Sequence, residues 1–209
     1  MAPVVKEAQS RAEATEARII AVARSLFLAA NYADVTTDMI ARAAGVTKGG
    51  LYHHFASKEQ LYISMMLSDL DDKRRLFEQA AAGPGSSRER LARLTREFLE
   101  LPDGQRALTR LVRRDINCFS GSERDRLVRA YQRALPEQIE AIISDGIEQG
   151  ELTAADPRLL SWSFVALVEV VIGDYAGHVF ADTEARLAHV LDLFFEGAAA
   201  QPTGVPPCH

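Results

Sequence analysis

Thr36-Thr37-Asp38-Met39-Ile40-Ala41-Arg42-Ala43-Ala44-Gly45-Val46-Thr47-Lys48-Gly49-Gly50-Leu51-Tyr52-His53-His54-Phe55 is the stretch whose reading decides the fold. Its spacing predicts two short helices joined by a glycine-centred turn, which is the sequence form of a helix-turn-helix. Thr37 is expected to cap a first helix whose apolar side is Met39, Ile40, Ala43 and Ala44. Gly45 then supplies the left-handed backbone that reverses the chain, and Val46 anchors the turn inward. Thr47 is expected to cap a second helix in which Leu51 and Phe55, four residues apart, face a core. Lys48, Gly49, Tyr52 and His53 then face outward, a set suited to a phosphate-lined groove.

Working outward, Ile19, Val22, Ala23, Leu26, Phe27 and Ala30 form a helical stripe that covers this motif. Residues 1–13 lack an apolar period and read as a mobile arm. Ser57 and Gln60 form a capping box that starts a long helix to about Ala82, and Gly83-Pro84-Gly85-Ser86-Ser87 ends it. Downstream, apolar residues recur at helical spacing with no strand-like alternation, so the chain is expected to be all-α. Pro136 predicts a kink in a helix that stops at Gly150, and two further helices are expected at about 156–177 and 182–198. The domain reading is an arm (1–13), a three-helix helix-turn-helix domain (14–56), a larger helical domain (57–198) and a disordered tail (199–209).

A chain of 209 residues with 47% hydrophobic and 25% charged residues can bury a substantial core. The net charge of -5 argues against nucleic acid at first sight, because DNA affinity comes largely from Lys and Arg neutralising phosphate. Residues 1–60, however, carry seven Lys or Arg against six Asp or Glu, and the acidity belongs to the rest of the chain. Cys118 and Cys208 sit in no metal-ligand or Cys-x-x-Cys pattern and fit free thiols in a reducing cytoplasm. No leader-like segment and no apolar run of membrane-spanning length occurs, so a cytoplasmic protein with no membrane association is expected.

Arg18-Ile19-Ile20, Ala23, Leu26-Phe27, Tyr32, Thr36-Thr37, Ile40-Ala41, Ala44 to Gly49, Leu51-Tyr52, His54-Phe55 and Ser57-Lys58-Glu59 fall in register with one family. Over roughly residues 15 to 65 the chain resembles a TetR-type transcriptional regulator. It departs from that pattern at Asn31, where the family usually has Gly, and at Gly50, where it usually has a larger residue. The resemblance implies a cytoplasmic homodimer that binds double-stranded DNA at a palindromic operator and is released by a small-molecule inducer, with no cofactor. Activation, or regulation without a ligand, is the alternative within this class.

Candidate DNA-facing residues follow from the motif. The N-terminus of the second helix offers unpaired backbone donors to a phosphate, which brings in Thr47 and Lys48. Gly49 and Gly50 each cost about 1 kcal/mol of helix propensity against Ala, which points to close backbone approach. His53 can donate to phosphate, while His54 lies nearer the core. Tyr52 and Lys58 resemble the family's phosphate contacts, with Thr36 or Thr37 as a further one.

The family also implies a ligand pocket. Candidates on the inward stripes are Leu108, Leu111, Val112, Asp115 and Phe119, then Tyr131, Trp162, Val165, Glu169 and Tyr175. Asp115 and Glu169 lie among apolar neighbours, so each needs a donor: Arg113 or Arg114 for structure, or a cationic or donor-rich ligand. The helix around 156–177 is apolar almost all round and must be covered on both sides. Family resemblance implies that it and the last helix form a four-helix interface with a second copy through Ala166, Val170, Gly173, Leu187, Val190, Leu191 and Phe194. No Ser/His/Asp or Cys/His grouping, phosphate loop or His-Glu-x-x-His metal pattern is present, so neither an enzyme nor a metal site is expected. A helical small-molecule binding protein or enzyme without DNA function is the remaining rival.

Overall fold

Caps and breakers divide the chain into helices. A computed structural model describes residues 2–198 and shows no β-strand element among them. The helices are α1 (Ala2–Ala29), α2 (Thr37–Ala43), α3 (Lys48–His54), α4 (Lys58–Ala82), α5 (Ser87–Glu100) and α6 (Asp103–Asp115). A short 3-10 turn, Ile116–Cys118, leads to α7 (Gly121–Ala134), α8 (Pro136–Glu148), α9 (Pro157–Val171), α10 (Asp174–Val179) and α11 (Thr183–Ala198). The tail expected at 199–209 lies outside the described residues.

Three elements differ from expectation. The segment read as an arm is helical from Ala2 and opens α1, since Ala, Glu, Gln, Lys and Arg favour helix without an apolar stripe. Pro136 does not kink a helix. It occupies the first turn of α8, where its missing N–H costs nothing. The long helix expected at 156–177 breaks at Gly173, whose extended backbone (φ -71°, ψ 160°) separates α9 from α10. A run of β-branched residues, Val168, Val170, Val171 and Ile172, weakens the helix just before that glycine.

The chain forms two compact units. One comprises Met1–Leu70 with Asp103–Arg129, the other Asp71–Pro102 with Ala130–His209. The division therefore falls inside α4 rather than at residue 56, and α6 joins the helix-turn-helix unit. α4 explains the first displacement, because Leu61, Tyr62, Ile63, Met65 and Met66 are all buried in its first turns. In the first unit Ile19, Ala23 and Phe27 of α1 share the core with Ile40, Ala41 and Ala44 of α2, Leu51 of α3 and Phe55.

In the second unit α8 packs along α9, and α11 packs on α5 and α9. The core joins Leu91, Leu94 and Phe98 of α5, Ile139, Ile142 and Ile143 of α8, Phe164, Val165 and Val168 of α9, and Leu187, Val190, Leu191 and Phe194 of α11. Arg96 clamps α5 to α11 by two hydrogen bonds to Glu184, at 2.8 and 3.0 Å, and Arg88 pairs with Asp192. Gly146 of α8 permits close approach of α5: a Cβ there would collide with the buried Ser87 hydroxyl. Among the described residues no helix is long and apolar enough to cross a membrane.

Candidate nucleic-acid interface

Local caps build the helix-turn-helix. Thr36, one residue before the expected cap, accepts a hydrogen bond from the Met39 N–H at 3.2 Å and starts α2. Thr37 is thereby the first helical residue, and its hydroxyl lies 3.5 Å from the Tyr52 hydroxyl. α2 ends in a Schellman closure, with Val46 N–H donating to the Ala41 carbonyl (3.0 Å) and Gly45 N–H to the Arg42 carbonyl (3.2 Å). Gly45 has φ 64°, the left-handed value the turn requires. Thr47 caps α3 as expected, accepting from the Gly50 N–H at 3.0 Å. Asn31 needs no left-handed backbone, since no described non-glycine residue has positive φ.

The faces sort largely as the sequence predicts. Leu51 and Phe55 are buried, and Lys48, Gly49, Tyr52 and His53 are exposed. Thr36 and Thr47 are exposed as well, while Thr37, Gly50 and His54 are half-buried. Met39 and Ala43 are corrections: both are exposed, and the inward face of α2 is Ile40, Ala41 and Ala44. At Gly50 a Cβ would press on Thr47 Oγ1 at 3.2 Å, so this glycine also protects the cap of its own helix.

Two charges on this face behave unexpectedly. Lys48 Nζ pairs with Asp38 Oδ2 at 3.1 Å across the two short helices. Asp38 escaped the sequence reading because an acidic residue in a first helical turn already has a role with the helix dipole. Lys58 is half-buried, and its Nζ donates to the carbonyls of Tyr32 (2.8 Å) and Val35 (2.9 Å) while lying 4.2 Å from the Tyr32 ring centre. Two of its three donors are therefore committed to holding the α1–α2 connection rather than free for phosphate.

The ligand-pocket candidates divide between the units. Leu108, Leu111, Val112, Asp115 and Phe119 belong to the first and are buried. Tyr131 and Val165 are buried in the second, Trp162 and Glu169 are half-buried, and the Tyr131 and Trp162 rings stack at 6.2 Å. Tyr175 is 82% exposed and lines no enclosed site here. The Asp115 carboxylate is satisfied internally, by Arg114 Nε at 2.7 Å and the Tyr62 hydroxyl at 2.8 Å. Burial and this carboxylate hold the Tyr62 hydroxyl well above the ordinary tyrosine range, and Tyr32, half-buried and beside Glu59, is pushed up to about 12. The Tyr62 hydroxyl thus stays a protonated donor to Asp115 at neutral pH. Sequence offered no sign of the Tyr62–Asp115 pair, whose members stand 53 residues apart.

The expected interface residues also divide. Leu187, Val190, Leu191 and Phe194 are buried in their own unit's core, with Val190 0% exposed, and are corrected to core residues. Gly173 caps the short α10 instead of offering a smooth helix surface. Ala166 and Val170 do face outward, in a stripe with Leu159 and Ser163 along α9. Leu159 is 67% exposed and Val170 69%, and Leu193 of α11 and Val179 of α10 are also exposed. The exposure of Leu159 was not legible in the sequence, because an all-round apolar helix does not announce its outer face.

This geometry agrees with the comparisons to known proteins. The family model of bacterial regulatory proteins of the tetR family matches residues 19–65, and that of the tetracyclin repressor-like C-terminal domain matches residues 84–173. The HTH-type transcriptional repressor KstR2 of Rhodococcus jostii is 25% identical over 203 residues, covering 96% of this chain and 98% of its own. A tetR-family regulatory protein from Rhodococcus RHA1 superposes with a TM-score of 0.78 at 20% identity, covering 90% of this chain and 98% of its own. AibR, solved in complex with isovaleryl coenzyme A and operator DNA, gives a TM-score of 0.73 at 22% identity, covering 87% and 98%. The chain belongs to the TetR family of DNA-binding transcriptional regulators.

Proposed function

We propose that this protein is a cytoplasmic, homodimeric repressor that binds a palindromic operator through paired α3 helices and is released by a small molecule. The observation that carries it is the capped α2–Gly45–α3 motif with Lys48, Gly49, Tyr52 and His53 on one exposed face. Thr47, Lys48, Gly49, Gly50, Tyr52 and His53 bring α3 to the DNA, Thr36 and Thr37 meet phosphate from α2, and Lys58 has one donor left for the same purpose. Phosphate contacts set the register, and base edges in the major groove set the sequence. Two copies are needed because one short helix reads few bases. Their recognition helices enter successive major grooves about 34 Å apart on one face of the duplex.

The second copy is expected to cover the Leu159, Ala166 and Val170 stripe of α9 and the exposed Leu193 of α11, since exposed apolar surface favours association. Release follows when a ligand prefers a state in which the two α3 helices are wrongly spaced. Commitment of Asp115 to Arg114 and Tyr62 removes the reason to expect a cationic ligand at that carboxylate. An apolar-bodied molecule beside Tyr131, Trp162 and Val165 fits better. Because AibR was solved with isovaleryl coenzyme A, acyl thioesters are the first class to test. The chain acts by binding, with no enzymatic step.

Light scattering of the protein on a short duplex carrying its promoter-proximal palindrome tests this reading. Two protomers per duplex, displaced on adding an acyl-coenzyme A, support it. One protomer per duplex contradicts the dimer, and a complex indifferent to every acyl thioester contradicts the ligand class.

A further inference from the structure

The first unit holds a polar cluster around a buried carboxylate that DNA contact leaves unused. Asp115 ends α6 and is 3% exposed. Tyr62 of α4 donates to its Oδ2 at 2.8 Å; Arg114 donates from Nε to Oδ1 at 2.7 Å and from Nη2 to Oδ2 at 2.8 Å. The same Arg114 Nη2 reaches the carbonyls of Ala30 (3.2 Å) and Phe27 (3.4 Å) at the end of α1. A helix C-terminus leaves such carbonyls without intrahelical donors and favours a cation beside them.

From Ala30 the chain runs through Tyr32 and Val35 to Thr36, the cap of α2. Lys58 of α4 grips this connection by the carbonyls of Tyr32 and Val35. The Tyr32 ring packs on Phe27, Tyr62 and Phe119, with centroids 5.8, 5.1 and 5.0 Å away. The lead into the helix-turn-helix is thus fixed from α4 by Lys58 and from α6 by Arg114. Asp115 and Tyr62 in turn hold the guanidinium and the α6 terminus in place.

We infer that Arg114, Asp115 and Tyr62 are positioning residues for DNA recognition. They tie the end of α6 to the segment that sets α2 and α3, so operator affinity is governed partly from a helix that carries no DNA-facing side chain. The inference rests on the DNA-binding reading of α3. Arginine suits the post because its planar fork reaches a carboxylate and the α1 carbonyls together, which an ammonium cannot do. Any shift of the α6 terminus withdraws donors from a buried carboxylate and from the end of α1 at once, which makes the joint respond as a unit.

The test compares full-length wild type, Tyr62→Phe and Arg114→Lys on the duplex the wild type selects from random DNA and on an unrelated duplex of equal length. Tyr62→Phe keeps the ring packing and Arg114→Lys keeps the charge. Tyr62→Phe, which loses one hydrogen bond to a charged group, is expected to bind the selected duplex about tenfold more weakly, and Arg114→Lys, which gives up either the carboxylate fork or the α1 carbonyls, at least as weakly. Binding to the unrelated duplex and the salt slope should stay at wild-type values. Unchanged affinity for the selected duplex in both variants, whatever happens to the melting temperature, overturns the inference, as does an equal loss on both duplexes. A wild type that prefers no duplex removes the DNA-binding reading along with it. A selective wild type with unaffected variants removes the positioning role alone.

Discussion

At the residue scale, few side chains on α3 do work that chemistry can assign. Tyr52 offers a hydroxyl 3.5 Å from that of Thr37, so one phosphate can meet both. Lys48 is paired with Asp38, but both are more than half exposed, and such a pair is worth only about 0–1 kcal/mol. A phosphate therefore competes for the ammonium at little cost. Tyr52→Phe and Lys48→Ala should each weaken operator binding, and Lys48→Ala should reduce the slope of log affinity against log salt by about one. Fluorescence anisotropy across a salt series checks both. Unchanged binding in the two variants would remove these contacts from the account. The motif that carries these residues was legible because its signals are local: a cap, a left-handed glycine and an i, i+4 apolar pair lie within twenty residues. What stayed hidden depended on distant partners. Asp38 opposite Lys48 and Lys58 on two carbonyls follow from packing, as does the Tyr62 hydroxyl on Asp115, whose pairing with Arg114 the sequence did suggest.

At the scale of elements, the caps at Thr47 and Ser57 were read, those at Thr36 and Ser86 were not, and helix faces were read less well. Ser86 caps α5 in a closed capping box, its hydroxyl accepting from the Glu89 N–H while Glu89 Oε2 accepts from the Ser86 N–H at 2.8 Å. Those hydrogen bonds from Ser86 hold the Glu89 carboxyl below its ordinary range. A lowered pKa in the folded state means that the stabilisation is present above the unfolded-state pKa, about 4.3. It is lost as pH falls through the lowered folded value. Ser86→Ala should cost about 1 kcal/mol at neutral pH, and the gap to wild type should narrow on acidification. Chemical denaturation at several pH values measures this. A gap that widens toward low pH would contradict the cap. Pro136 and Gly173 show why boundaries were missed: a proline serves a helix start as readily as a kink, and the glycine sat in an apolar run whose length suggested one helix. Met39 was misplaced because a two-turn helix is too short for periodicity to fix its inward face.

At the scale of the whole molecule, the all-α fold and the helix-turn-helix were legible, while the partition into units was not. α6 stands far from α1 in sequence, and only tertiary contacts such as Arg114 with the end of α1 assign it to the first unit. The residues expected at a dimer face divided between surface and core for a related reason. α9 and α11 are both apolar, and the outward side shows only once α5 and α8 have taken their share. Two substitutions separate face from core. Val170→Arg, on the exposed stripe of α9, should leave the protomer folded but monomeric in light scattering. Val190→Ala, in the core, should lower stability by about 2 kcal/mol with the dimer intact. The reverse pattern would return α11 to the interface.

Selection of bound fragments from a random duplex library at low ionic strength tests paired DNA recognition most directly. The account predicts enrichment of an inverted repeat whose half-sites are centred about one helical turn, or a whole number of turns, apart. A pool that stays random, or a site without dyad symmetry, would contradict it.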